Sequence, residues 1–236
     1  MYIIALRRRK SDMKKLKLIL LSSVVILVLV VFALLLGKQL KDNKKHTNGD
    51  KTTAVATDEQ GTSDSASVDA FLLSDSIKQD LLPINDYSRP GDKVGKITAI
   101  VIHYVGNPGT TAAQNRSYFN NLATLQNAYA SSHYVVGLEG EIIQCVPLDE
   151  IAYASNNRNY DTISIECCHP DSGGKYNPAT YESVVKLAAA LCRTYNLNPE
   201  TGVIRHYDVT GKICPKYYVE NEEEWYAMKL AIKNAM

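Results

Sequence analysis

The chain has almost no excess charge of either sign: 26 Lys and Arg face 25 Asp and Glu, a formal +1 at pH 7. Gripping nucleic acid takes a strongly basic face, so no nucleic-acid partner is implied. No internal repeat is visible, which excludes a solenoid or propeller, and no second binding module is read after the main domain. The five cysteines do not have the spacing of a disulfide framework. Cys167 and Cys168 are adjacent and point to opposite faces of any strand; a single bridge among Cys145, Cys167, Cys168 and Cys192 stays open. A small-x-small cleavage site is also missing after the one long apolar run, which argues against a removable signal peptide.

That run, Leu18 to Leu36, contains no charged residue and is long enough to cross a hydrocarbon layer of ~30 Å as a helix. Arg7, Arg8, Arg9, Lys10, Lys14, Lys15 and Lys17 precede it, opposed only by Asp12, while Lys38, Lys41, Lys44 and Lys45 follow. The heavier basic flank belongs in the cytoplasm. The reading is a cytoplasmic basic segment over residues 1–17 and an uncleaved transmembrane anchor over 18–37, with everything beyond outside the cell membrane. Met13 opens Met13-Lys14-Lys15-Leu16-Lys17 and is a second plausible start. Residues 38–84 read as a flexible tether rich in Lys, Asp, Thr, Ser, Gly and Asn. Near its end, Phe71, Leu72, Leu73, Ile77, Leu81 and Leu82 fit either a short packed helix or a membrane-proximal spacer.

Pro83 and Tyr87-Ser88-Arg89-Pro90-Gly91 mark the entrance to a domain spanning 85–236. Ile97 to Ile102 is a β-branched, apolar run that predicts a buried strand ending at His103. A helix is predicted from Thr110 or Thr111 to about Tyr129, with Tyr118, Phe119, Leu122 and Leu125 on its apolar side. Ser132–Val136 and Glu141–Val146 read as a hairpin through Gly137 and Gly140, and Thr162–Cys167 as a further strand. Asn177-Pro178 starts a helix, Gly202–Ile204 reads as a short strand, and Glu222–Met236 as the last helix. Strands interleaved with helices predict an α/β domain with a mixed central sheet flanked by helices.

The chemistry concentrates in Arg205-His206-Tyr207-Asp208-Val209-Thr210-Gly211-Lys212-Ile213-Cys214-Pro215. His206 and Cys214 are spaced for a loop that doubles back, so that an imidazole and a thiolate meet at one ion; zinc favours that mixture. A third ligand must come from elsewhere, and His103, polar at the end of a buried strand, is the choice. Asp208 is the rival, ranked lower because two ligands only two residues apart would strain the loop. Any of these residues alone reads as an ordinary buried side chain; their combination favours a metal. Glu166 lies on the strand face opposite Ile163 and Ile165 and is the candidate base, although alone it would read as an exposed strand glutamate. Lys212 is placed to donate to a carbonyl oxygen as it becomes negative, or else it is a solvated loop lysine. His169 beside Cys167 and Cys168 offers a rival thiol chemistry, and His133 reads as structural or substrate-contacting.

Val101-Ile102-His103-Tyr104, Ser132-His133-Tyr134-Val135-Val136, Ser164-Ile165-Glu166 and the Arg205 to Pro215 loop, in that order, resemble the zinc-dependent N-acetylmuramoyl-L-alanine amidases, the type 2 amidase fold shared with peptidoglycan recognition proteins. The resemblance covers roughly Tyr87 to the C-terminus. It implies His103, His206 and Cys214 as zinc ligands, Glu166 as general base and Lys212 as transition-state donor. It also implies peptidoglycan as substrate, cut between N-acetylmuramic acid and L-alanine. A non-catalytic peptidoglycan-binding module of the same fold is the alternative. The sequence departs from the family at Ala154, where many relatives carry a histidine after an aromatic, and at Ser132.

Overall fold

The central strand is buried on both faces, and the rest of the sheet is assembled around it. In the computed structural model, which describes residues 69–236, six strands are ordered β1-β4-β3-β5-β2-β6. They are β1 (Ile77–Gln79), β2 (Ala99–Tyr104), β3 (Tyr134–Val136), β4 (Ile142–Gln144), β5 (Thr162–Cys167) and β6 (Val203–Arg205). β2 pairs in parallel with β5 and β6, and β5 in parallel with β3; β3 and β4 form the antiparallel hairpin, and β1 adds in parallel to β4. This is the mixed, helix-flanked sheet that the alternation of elements predicts. The segments proposed as a cytoplasmic stretch and a transmembrane anchor, and the first part of the tether, lie outside the described residues. Among the described residues no helix is long and apolar enough to cross a membrane.

Alternation along the strands divides the side chains between two cores. Ile100, Ile102, Ile163, Ile165, Tyr134 and Val136 face α2 (Pro178–Tyr195) and α6 (Glu222–Asn234), packing with Val184, Leu187, Leu191, Trp225, Met228 and Ile232. The other face packs Val135, Ile143, Cys145 and Val146 with Ala112 and Phe119 of α1 (Ala112–Leu125). Caps fix where these helices begin. Thr111 and Gln114 form a reciprocal capping box on α1, and Asn177 accepts from the Thr180 N–H, with Pro178 in the first turn of α2. The buried stripe of α1 is Ala112, Asn115, Phe119 and Leu122, whereas Tyr118 and Leu125, expected on the apolar side, are 48% and 57% exposed. α1 covers only the hairpin side of its sheet face, so a single row of contacts at i, i+3, i+7 and i+10 suffices.

The sheet also begins earlier than residue 85. A 3-10 turn over Ala70–Leu73 and strand β1 pack Leu72, Ile77 and Leu82 into the two cores. Arg116 braces the segment, donating to the carbonyls of Asp80 and Leu81 at 3.1 and 3.0 Å, and Arg193 pairs with Asp69 at 2.6 Å. The part of the proposed tether from residue 69 onward is therefore folded. Its strand has three residues, too few for alternation to register against a polar surround. Leu82 is fully buried. Leu82→Ala should lower the unfolding free energy in urea by about 2–5 kcal/mol, and a change below ~0.5 kcal/mol would mean that this segment is not integral to the fold.

Candidate metal centre and active site

Strand register brings the site together. In the parallel β2–β5 pair His103 lies opposite Glu166, so both side chains leave the same sheet face at the carboxyl ends of their strands. β6 runs on the other side of β2, with Ile102 opposite Arg205, and the chain leaves it directly into His206. The His103 and His206 rings lie 4.7 Å apart. His206 begins a short helix, α4 (His206–Thr210), where the sequence predicts a loop that doubles back, and Gly211 ends it at φ +76°, a conformation that favours glycine. The return is closed by the Tyr207 N–H donating to the Cys214 carbonyl at 2.9 Å. Cys214 Sγ then stands 3.9 Å from His103 Nδ1.

The ligand atoms of His103, His206 and Cys214 all lie within 4.8 Å of one another, and all three residues are buried. A tetrahedral zinc ion sets its ligand atoms roughly 3.3–3.8 Å apart, so small side-chain adjustments would close this set on an ion. Burial holds the His103 imidazole well below its usual range, with His206 and Lys212 adding to the effect; His206 is lowered by burial and then by Lys212. Both rings are therefore neutral, as metal ligands must be. Burial pushes the Cys214 thiol up to about 12, Glu166 adds to this and Lys212 opposes it. A cation is what would make this buried sulfur a thiolate.

Glu166 is raised to about 8 by burial, with Lys212 pulling it back. Its Oε1 is 3.9 Å from His103 Nδ1, and its Oε2 is the one buried side-chain polar atom among the described residues without a hydrogen-bond partner. An orphaned carboxylate oxygen beside two neutral imidazoles and a thiol fits a site that receives a cation and water. A cavity of about 510 Å³ opens onto these groups. Lys212 lines it without a carboxylate partner among the described residues, and Phe119, Tyr129 and Tyr153 contribute to its wall.

The rivals find other partners. Asp208 accepts from the Arg205 backbone N–H and from Arg205 Nη2, both at 2.8 Å, while Arg205 Nη1 reaches the Tyr218 carbonyl at 3.0 Å and Glu222 at 2.7 Å. Asp208 thus anchors the turn instead of offering itself to a metal. Both ring nitrogens of His169 face carbonyls, of Asp171 and Val105, at 2.6 and 2.8 Å, so neither is turned toward a thiol. Burial raises Cys167 well above its usual range and Cys168 to about 12, so neither is a poised nucleophile. His133 lies outside the cavity lining: the Ser164 N–H donates to its Nδ1 and its Nε2–H donates to the Glu150 carbonyl, each at 3.0 Å. Sequence reasoning missed Ser155 and Asn156, whose side chains meet His103 Nε2 at 3.4 Å and His206 Nε2 at 3.3 Å. A polar Ser-Asn-Asn stretch looks like any solvated turn.

Residues 93–217 match the family described as N-acetylmuramoyl-L-alanine amidase. The chain belongs to that family. It is 32% identical over 175 residues to the N-acetylmuramoyl-L-alanine amidase BlyA of Bacillus subtilis (strain 168), a match over 66% of this chain and 46% of BlyA. To the amidase CwlL of Bacillus licheniformis it is 32% identical over 161 residues, 63% of this chain and 44% of that one. The chain thus spans about half the length of the curated relatives it matches. Among solved structures, the catalytic domain of XlyA superposes with a TM-score of 0.56 at 26% identity, over 66% of this chain and 98% of that domain. PlyL gives 0.58 at 26%, over 68% and 98%. The type 2 amidase fold expected from the four ordered motifs is the fold observed.

A pH dependence of stability follows for the folded domain. Burial takes His133 from 6.5 down to about 4, so the unfolded chain binds more protons between those values. The stability tied to His133 is present in full above pH 6.5 and is lost as pH falls through about 4; it amounts to about 3 kcal/mol. Urea denaturation from pH 4 to 7 should show His133→Asn flattening this slope. An unchanged slope in the variant would refute the assignment.

Proposed function

We propose that this family member is a membrane-anchored, zinc-dependent peptidoglycan hydrolase that cuts the amide between the lactyl group of N-acetylmuramic acid and L-alanine. The observation that carries the reading is the convergence of His103, His206 and Cys214 at one end of a cavity, with Glu166 as the register neighbour of His103. Family membership supports the bond that is cut. The basic residues ahead of the apolar run from Leu18 to Leu36 support an anchor that holds the catalytic domain on the outer side of the membrane, where such a wall lies.

His103, His206 and Cys214 would hold the zinc. The chemistry it supplies when bound is Lewis-acid polarisation of a carbonyl and a lowered pKa for water. Glu166 takes a proton from the attacking water, and its unpartnered Oε2 is free for that hydrogen bond. As oxygen adds to the carbonyl carbon, the Lys212 ammonium donates to the oxygen that becomes negative. Glu166 then returns the proton to the nitrogen as the C–N bond breaks, leaving a lactyl carboxylate and the free amine of L-alanine. The open carboxyl ends of β2 and β5 leave Glu166 facing the cavity, while the core behind it keeps bulk water from the sheet side.

Glu166→Gln should keep one zinc per chain and lose about 10²–10⁴ in kcat; Lys212→Met should lose about 10²–10³ with unchanged zinc affinity. Turnover at the wild-type rate in Glu166→Gln would overturn the mechanism. On intact protoplasts, added protease should digest the catalytic domain, and its complete protection would contradict the proposed orientation.

A further inference from the structure

His103 lies in β2 and His206 directly after β6, yet one short turn meets both rings. Ser155 is fully buried, and His103 Nε2, at 3.4 Å, is the only hydrogen-bond partner of its hydroxyl among the described residues. Asn156, the next residue, places its Oδ1 3.3 Å from His206 Nε2. Asn156 has φ +53°, which swings consecutive side chains toward different rings. The turn is itself fastened: Asn159 Oδ1 accepts from the Ala154 and Ser155 N–H groups at 3.1 and 2.6 Å, and Thr162 at the start of β5 donates to the Arg158 carbonyl at 2.6 Å.

A neutral imidazole carries one N–H and one lone pair. An amide oxygen only accepts, so the contact with Asn156 puts the proton of His206 on Nε2 and the lone pair on Nδ1. For His103, Nδ1 is the nitrogen that faces Cys214 Sγ at 3.9 Å and Glu166 Oε1 at 3.9 Å, leaving Nε2–H for the Ser155 oxygen. We propose that Ser155 and Asn156 are positioning residues that fix both histidines with Nδ1 toward the ion, so that the site is oriented before a metal arrives. This inference rests on the zinc reading above and adds residues that act through the ligands without touching the ion.

The test uses the full chain, purified in detergent, and two readouts other than activity. Zinc affinity is measured by competition with a chromophoric chelator, and the tautomer of His206 in the zinc-free protein by ring nitrogen NMR shifts. Asn156→Gly removes the carboxamide where glycine accepts the backbone conformation freely, so folding is preserved. It should weaken zinc binding about 10–100-fold and release His206 into a mixture of tautomers. Ser155→Ala should weaken binding in the same direction, and Asn156→Asp, which keeps an acceptor oxygen, should restore wild-type affinity. Wild-type affinity in Asn156→Gly, no restoration by Asn156→Asp, or a wild-type His206 protonated on Nδ1 would each overturn the inference while leaving the zinc reading intact. A wild-type chain that binds no zinc would overturn the zinc reading itself, and this inference with it.

Discussion

The site depends on the register of one parallel strand pair. β2 and β5 align Ala99 with Thr162 and continue in step to Tyr104 with Cys167, which sets His103 beside Glu166. A slip of one residue would send one of them to the opposite face of the sheet. What holds the register is the apolar half of the same alternation, since Ile100, Ile102, Ile163 and Ile165 are fully buried against α2 and α6. The core and the active site are therefore two sides of a single pattern. β6 adds the third part by ending where His206 must start, and the Arg205 guanidinium ties that junction to Asp208, Tyr218 and Glu222.

The same burial also sets the protonation of the groups it encloses. Two imidazoles are kept neutral, a thiol is kept protonated and a carboxyl is driven up to about 8, with one of its oxygens left without a partner. These groups gain little from one another and would gain much from a cation, which turns the thiol into a ligand and favours the ionised glutamate.

Much of this was legible in the chain. Long, uniform signals gave their elements to within about two residues: the apolar run ending at His103, the Thr162–Cys167 alternation, and the Asn177-Pro178 helix start. His103, His206 and Cys214 could be grouped because nitrogen and sulfur donors at that spacing have few other uses. What escaped was short or was decided by tertiary contact. β1 has three residues and owes its place to pairing with β4 and to Arg116. Tyr118 and Leu125 follow a helical period yet stay exposed because nothing among the described residues packs over them. Ser155 and Asn156 gain meaning only once the turn folds back on two strands distant in sequence.

The most direct measurement is mass spectrometry of purified peptidoglycan after incubation with the full chain and with Cys214→Ser, each with its zinc content determined. The account predicts stem peptides with a free L-alanine amino group and glycan ending in intact lactyl carboxylates, with one zinc per wild-type chain, and neither product nor tightly held zinc in the variant. Product formed equally by both proteins, or a wild-type chain that carries zinc and releases no peptide, would contradict it.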